Sequence, residues 1–168
     1  GARPWQAPRG SVTFSDVSFS YVQGIPVLKG VSFHVEEGRK VALVGASGCG
    51  KTTIVSLLLR LYDPCSGKVF LDGHDQRELT VASVKANIAI ALQEPFLWNE
   101  SIMANILYGR PQARHSDARS AAQCAGAHTF IGSLPRTYYT RVGDRACRLS
   151  EGQKQRIALA RALIKKAR

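Results

Sequence analysis

No stretch of the 168 residues approaches the roughly 20 consecutive apolar residues that a membrane-crossing helix requires. The longest apolar runs, such as Ile88 to Leu92, are of strand length, so this chain cannot cross a bilayer alone. There is no C-x-x-C pair and no histidine at zinc-finger spacing, because Cys49, Cys65, Cys124 and Cys147 stand far apart. A zinc module is thereby excluded, and free thiols in a reducing compartment are expected. No signal-peptide pattern opens the chain. Nor does a methionine: the first residue is Gly1, and residues upstream are expected to have been removed or left out. Acidic residues are scarce, 12 against 23 lysines and arginines, for a net charge of +11.

That excess raises nucleic acid as a partner, so its distribution matters. Between Arg141 and Arg168 nine lysines and arginines face only Asp144 and Glu151. Most of the excess thus lies in one segment that reads as a helix, where spaced cations form a solvated face. No aromatic residues are interleaved there to stack on bases, and no nucleic-acid partner is expected. At 45% hydrophobic and 21% charged, the composition is that of an ordinary globular domain with length enough for a core.

One stretch dictates a chemistry. Gly45-Ala46-Ser47-Gly48-Cys49-Gly50-Lys51-Thr52 fits the pattern G-x-x-x-x-G-K-S/T. Its glycines let backbone N–H groups wrap phosphate oxygens, its lysine reaches the outer phosphates, and its hydroxyl ligates Mg²⁺. The flanks suit it. Lys40-Val41-Ala42-Leu43-Val44 reads as a buried strand, and Thr53 to Leu61 as a helix whose N-terminus adds unpaired N–H groups to anion binding. Cys49, inside the loop just before that helix, sits where a thiol is activated, and bound ATP should protect it from alkylation.

Around this loop the chain alternates in type. Arg3 to Gly10, with two prolines and two arginines, reads as a linker. Ser11 to Tyr21 and Val27 to Val35 alternate as half-buried antiparallel strands. Tyr21 closes the first of these, where a ring could meet an adenine. Asp63 to Gly67 is a turn, Lys68 to Leu71 a short strand, and Ile88 to Leu92 a further buried strand ending at Gln93-Glu94-Pro95. A glutamine at a strand end beside a phosphate site could ligate Mg²⁺ or position water. Ser101 to Leu107 and Ser116 to Ile131 read as helices. Leu149-Ser150-Glu151-Gly152-Gln153 then opens a last helix on which Ile157, Ala160 and Ile164 share one face, with Ser150 and Gln153 as a capping box. Its start is a second possible anion site.

These motifs together resemble the nucleotide-binding domain of an ATP-binding cassette (ABC) transporter, over residues from about Val12 to the end. Leu149 to Gln153 is similar to that family's signature motif, about a hundred residues after the phosphate loop. The fold the resemblance implies is α/β, a P-loop NTPase core with an N-terminal antiparallel β subdomain and a helical signature subdomain, the C-terminal part of the core being absent. In those terms residues 1–10 are a linker from a transmembrane region and residues 11–168 a partial cassette, divided at about 92/93.

The resemblance implies ATP and Mg²⁺ as cofactors. Tyr21 corresponds to the aromatic that stacks on adenine, while Gly45, Ser47, Gly48, Cys49, Gly50, Lys51, Thr52 and Thr53 correspond to the phosphate contacts. Thr52 and Gln93 are implied as metal ligands. Ser150, Gly152 and Gln153 would meet ATP bound on a second cassette, in a head-to-tail dimer. Gln93 to Ile106 is similar to the exporter segment that receives coupling helices, and Thr140 to Arg145 to the exporter loop before the signature, with Asp144 where glutamate is usual. The implied partners are therefore a second cassette and a transmembrane domain, and the implied location is the cytoplasmic side of a membrane. Glu151 stands where glycine is commonest in the signature, which would weaken ATP-driven pairing unless the side chain faces solvent.

One family feature is missing. No run of four apolar residues followed by two acids occurs, and no histidine has a suitable context. The Mg²⁺-binding aspartate, the catalytic glutamate and the switch histidine are expected beyond Arg168, so no catalytic residue lies within the chain. These residues alone are expected to be poorly stable and nearly inactive. The alternative expectation is a truncated nucleotide-binding module that holds ATP without hydrolysis and acts in regulation.

Overall fold

Alternating apolar residues near the start of the chain build β1 (Val12–Phe19), which pairs antiparallel with β2 (Leu28–Val35) on one side and β3 (Ser66–Leu71) on the other. A two-residue β4 (His74–Asp75) completes the order β2-β1-β3-β4. The register sets Phe14 opposite both Phe33 and Val69. The Phe14 and Phe33 rings stack with centroids 4.6 Å apart. Phe14, Val17, Phe19, Leu28 and Val69 are buried together with Leu57 of the helix α1 (Lys51–Leu58). Each such side chain stabilises by about 1.5–3 kcal/mol on burial. Gly67 of β3 runs so close to the Asp16 carbonyl that any Cβ would collide, so this crossing of β1 admits only glycine.

This sheet belongs to the first of two compact units, Gly1–Ile88 and Ala89–Ala167, in a computed structural model that describes residues 1–6, 8–143 and 149–167. The arginine- and proline-bearing start, expected as a linker, lies along the first unit. Arg3 N donates to the Glu78 carbonyl (2.8 Å) and the Arg3 carbonyl accepts from Thr80 N (2.8 Å). Trp5 is buried against Leu71, Leu79 and Val84, the last from α2 (Val81–Asn87). Asp72, in a turn with φ 49°, gathers the strap. Its Oδ2 accepts from Trp5 Nε1 (3.0 Å) and Arg9 N (2.8 Å), and its Oδ1 from Gly10 N (2.9 Å), Ser11 N (2.8 Å) and Ser11 Oγ (3.2 Å). Burial raises the Asp72 pKa, but the hydrogen bonds from Arg9, Ser11, Trp5 and Gly10 outweigh it and hold the carboxyl below its ordinary value of 3.8.

The second unit is helical: α3 (Ile102–Leu107), α4 (His115–Cys124), α5 (His128–Gly132) and α6 (Glu151–Ile164). Ile102, Met103 and Ile106 of α3, Ala118 and Ala122 of α4, and Ile157, Ala160 and Ile164 of α6 share one core. The three α6 residues are the face read from the sequence. Small alanines on α4 let α3 and α6 approach closely.

Three stretches differ from their sequence expectation. Lys40 to Val44 forms no strand and is exposed, Val44 at 92%. Ile88 to Leu92 is likewise irregular, with Ile90 and Leu92 exposed, and the division between units falls within it. An apolar run becomes a strand only with a neighbour to share its ladder, and among the described residues neither run has one. The alanine-rich helix expected from Ser116 to Ile131 breaks into α4 and α5. Gly126, at φ 66°, turns left-handed after α4, and the chain restarts at His128. Asp144, Arg145 and Cys147 lie outside the described residues.

Candidate nucleotide-binding site

The glycine loop leads directly into α1. Gly50 is its N-cap at φ 97°, a conformation that favours glycine, and no side chain caps the helix. The first-turn N–H groups are left for an anion. At Gly45 a Cβ would meet Cys49 Sγ at 2.7 Å, so the loop closes on itself tightly. Lys51 folds back into that curl, its Nζ donating to the Gly45 carbonyl (2.8 Å) and the Ala46 carbonyl (2.7 Å), with Cys49 Sγ at 3.6 Å. Gly48 takes φ 81°, and Ser47 and Thr52 are exposed. The arrangement sets one lysine ammonium, held by two backbone carbonyls, beside the uncapped start of a helix, and that cation and those free N–H groups are the features that suit an anion.

Thr53 is buried, and its hydroxyl lies 3.2 Å from Tyr21 Oη. Tyr21 itself is half exposed, with Phe19 and Tyr62 meeting it edge to face at 4.8 Å and 5.3 Å between centroids. The aromatic two residues beyond β1 is thereby tied to the first turn of α1. Sequence reasoning missed Tyr62. Its signal was an aromatic just before the Asp63-Pro64 turn, close in space to the end of β1.

As to metal, the described residues hold no group of three or more His, Cys, Asp or Glu side chains suited to it. Thr52 offers an exposed hydroxyl oxygen at the loop's end. That donor suits Mg²⁺, which takes hard oxygen ligands and is usually shared with a nucleotide's phosphates.

The remaining predicted residues lie in the second unit. Gln93 is exposed, and its carbonyl accepts from Gln155 Nε2 (3.2 Å). Ser150 Oγ accepts from Gln153 N (3.3 Å), and Gln153 Oε1 accepts from Ser150 N (3.0 Å), the reciprocal cap. Gly152 is exposed with open space around its Cα. Glu151 turns along the helix, its carboxylate 2.6 Å from Lys154 Nζ. Its charge is directed to the helix flank by Lys154, one turn further on.

A glycine loop clasping a lysine at an uncapped helix start defines a P-loop nucleotide-binding domain. The chain belongs to the ABC transporter family, whose sequence pattern matches residues 28–168. It is 44% identical to heavy metal tolerance factor 1 of Caenorhabditis elegans over 98% of this chain and 21% of that protein. With the ATP-dependent lipid A-core flippase of Saccharophagus degradans the identity is 47%, over 99% of this chain and 28% of that protein. A solved bacterial Atm1-family ABC exporter with ATP bound superposes with a TM-score of 0.96 at 43% identity, over 99% of this chain and 29% of that one. The chain thus spans less than a third of the length of these relatives.

Proposed function

We propose that these residues are the ATP-binding part of an ABC-type exporter, coupling ATP binding and hydrolysis to transport through a transmembrane domain on whose cytoplasmic side they dock. The observation that carries this reading is the glycine loop that sets the Lys51 ammonium beside the uncapped start of α1. No helix among the described residues is long and apolar enough to cross a membrane, so the spanning part would lie on other residues.

Each element has a role in the reading. Tyr21 stacks on adenine, held by Thr53 and Tyr62. Gly45, Ser47, Gly48, Cys49 and Gly50 present backbone N–H groups to the phosphates, Lys51 neutralises the outer ones, and Thr52 and Gln93 are each assigned as a Mg²⁺ ligand, as the family resemblance implies. Ser150, Gly152 and Gln153 of a second cassette meet the same triphosphate from the far side, since a helix start with an exposed glycine suits a phosphate. Use of both surfaces by both copies closes a twofold pair. Bond cleavage needs an aspartate and a glutamate that these residues do not carry in the required context, so the 168 residues alone bind ATP and turn it over negligibly.

The test is titration of the complete protein with a fluorescent ATP analogue. Lys51→Ala is expected to weaken binding by about 10- to 100-fold, the equivalent of one lost charge-assisted contact. Unchanged affinity would refute the site. ATP binding without turnover in the complete protein would turn the reading toward a regulatory module.

A further inference from the structure

The far end of the phosphate-loop helix is tied to the same segment that receives the strap. α1 closes in a left-handed turn, in which Arg60 N donates to the Leu57 carbonyl (2.9 Å) and Leu61 N to the Ser56 carbonyl (3.0 Å), with Arg60 at φ 51°. Glycine is the residue such a turn favours. The arginine that stands there has a side chain only 15% exposed, and it crosses to residues 76–80. Its Nη1 donates to the Leu79 carbonyl and its Nη2 to the Arg77 carbonyl (3.4 Å), while its Nε lies 3.4 Å from Asp63 Oδ1. Gln76, buried, returns the contact from the other side: its Nε2 donates to the Leu57 carbonyl (2.9 Å) and the Leu58 carbonyl (3.3 Å), at the end of α1.

The strap holds the same residues. Arg3 bridges Leu79 in parallel, through its bonds to the Glu78 carbonyl and from Thr80 N. Its Nη2 donates to His74 Nδ1 (2.9 Å) and lies 3.9 Å from Glu78 Oε2. Trp5 N donates to Ser83 Oγ (2.9 Å), and the Trp5 carbonyl accepts from Asn87 Nδ2 (3.1 Å). Leu79 is common to both attachments. Its carbonyl takes Arg60, its buried side chain packs with Trp5, and Leu58 of α1 borders the same cluster.

A glycine at position 60 and a leucine at position 76 would close this corner without bending an arginine left-handed or burying an amide. The polar pair does what those residues could not: a planar guanidinium and an amide bind their acceptors at set distances and angles, whereas apolar packing lets surfaces slide. A shift of 76–80 is therefore passed to Leu57 and Leu58. From there α1, eight residues and about 12 Å long, runs back to Lys51.

We propose that Arg60 and Gln76 are positioning residues that make the strap a latch on the phosphate loop, so that seating of Arg3 and Trp5 and binding of nucleotide favour one another. This rests on the proposed function, in which residues 45–53 hold the triphosphate. Neither side chain touches the nucleotide, and each acts through the end of α1. The linkage is reciprocal: a seated strap raises nucleotide affinity by the factor by which nucleotide tightens the strap. A membrane domain joined to the strap would thereby set the affinity for ATP along a path confined to the first unit.

A mutant cycle on the complete protein tests this, reading Kd for a slowly hydrolysed Mg–ATP analogue and hydrogen exchange with and without it. Trp5→Ala, which releases the strap, is expected to weaken binding about three- to tenfold, and in the parent the analogue should slow exchange of residues 3–11 by a similar factor. Both ties are then cut by Gln76→Leu with Arg60→Gly, the glycine being what the left-handed turn favours. In that background Trp5→Ala should change Kd by less than about twofold, and the analogue should no longer slow exchange of 3–11. A merely structural strap would lower Tm in Trp5→Ala and leave Kd, measured well below Tm, unmoved. That result, or a Trp5→Ala effect as large with the ties cut as with them intact, overturns the inference. Failure of the analogue to protect 45–58 in the parent overturns the functional reading beneath it. Should Trp5→Ala fold poorly, Asp72→Asn, which loosens Trp5 Nε1 and Arg9 N, takes its place in the cycle under the same criteria.

Discussion

Replacing Asp72 with asparagine isolates one carboxylate that fastens the start of the chain to the sheet. Asparagine keeps the left-handed backbone at φ 49° almost as well as aspartate, so little strain is added. Its single oxygen can keep Gly10 N and Ser11 N, but its NH₂ then faces Trp5 Nε1 and Arg9 N, two donors where an acceptor stood. Two lost hydrogen bonds at about 1 kcal/mol each, in a half-exposed site that water can partly re-solvate, give about 2 kcal/mol. For a chain of this size that is roughly 4–8 °C in Tm. Tryptophan emission reads it. Trp5 is 6% exposed and Trp98 43% exposed, so in a Trp98→Phe background a red shift and greater iodide quenching report release of the strap. The pH dependence has a fixed sign. A carboxyl held below 3.8 contributes stability that is complete above that value and is lost as pH falls through the lower folded pKa. Asp72→Asn should abolish that acid-dependent component. Unchanged Tm and emission, or an identical acid transition, would refute the reasoning.

Two further outcomes follow from the site. Alkylation of Cys49, exposed and 3.6 Å from Lys51 Nζ, should block ATP binding and be slowed by bound ATP; equal labelling rates, read by mass spectrometry, would sink this. Glu151→Gly should leave ATP-driven pairing within about twofold while lowering stability by about 0.5–1 kcal/mol, because the carboxylate serves Lys154 and the helix start. A large gain in pairing by sedimentation would show that the charge faces the phosphate after all.

What was legible in the sequence was what is local. The loop from Gly45 to Thr52, the Ser150–Gln153 cap and the buried face of α6 each depend on residues within a few positions of one another. What was hidden depends on distant partners. Lys40 to Val44 and Ile88 to Leu92 have the composition of strands but no ladder, and composition cannot reveal the neighbour. The start of the chain has a linker's composition, and the contact that fastens it to the sheet is invisible there because Asp72 stands 67 residues from Trp5. Arg161 looked like one more cation on a solvated helix face. Only the fold brings the Phe96 and Asn105 carbonyls to it.

The curl of the loop around Lys51 bears on how a nucleotide is chosen. The ammonium has two acceptors, the carbonyls of Gly45 and Ala46, so in the proposed function an arriving phosphate would replace them rather than fill a need. The exchange would be of neutral carbonyl oxygens for charged phosphate oxygens, and its driving force would be charge itself. Such a loop would rank anions by how much negative charge they bring to a small space, so a triphosphate is expected to outcompete a monophosphate before its shape is read. Salt in the medium weakens that preference directly.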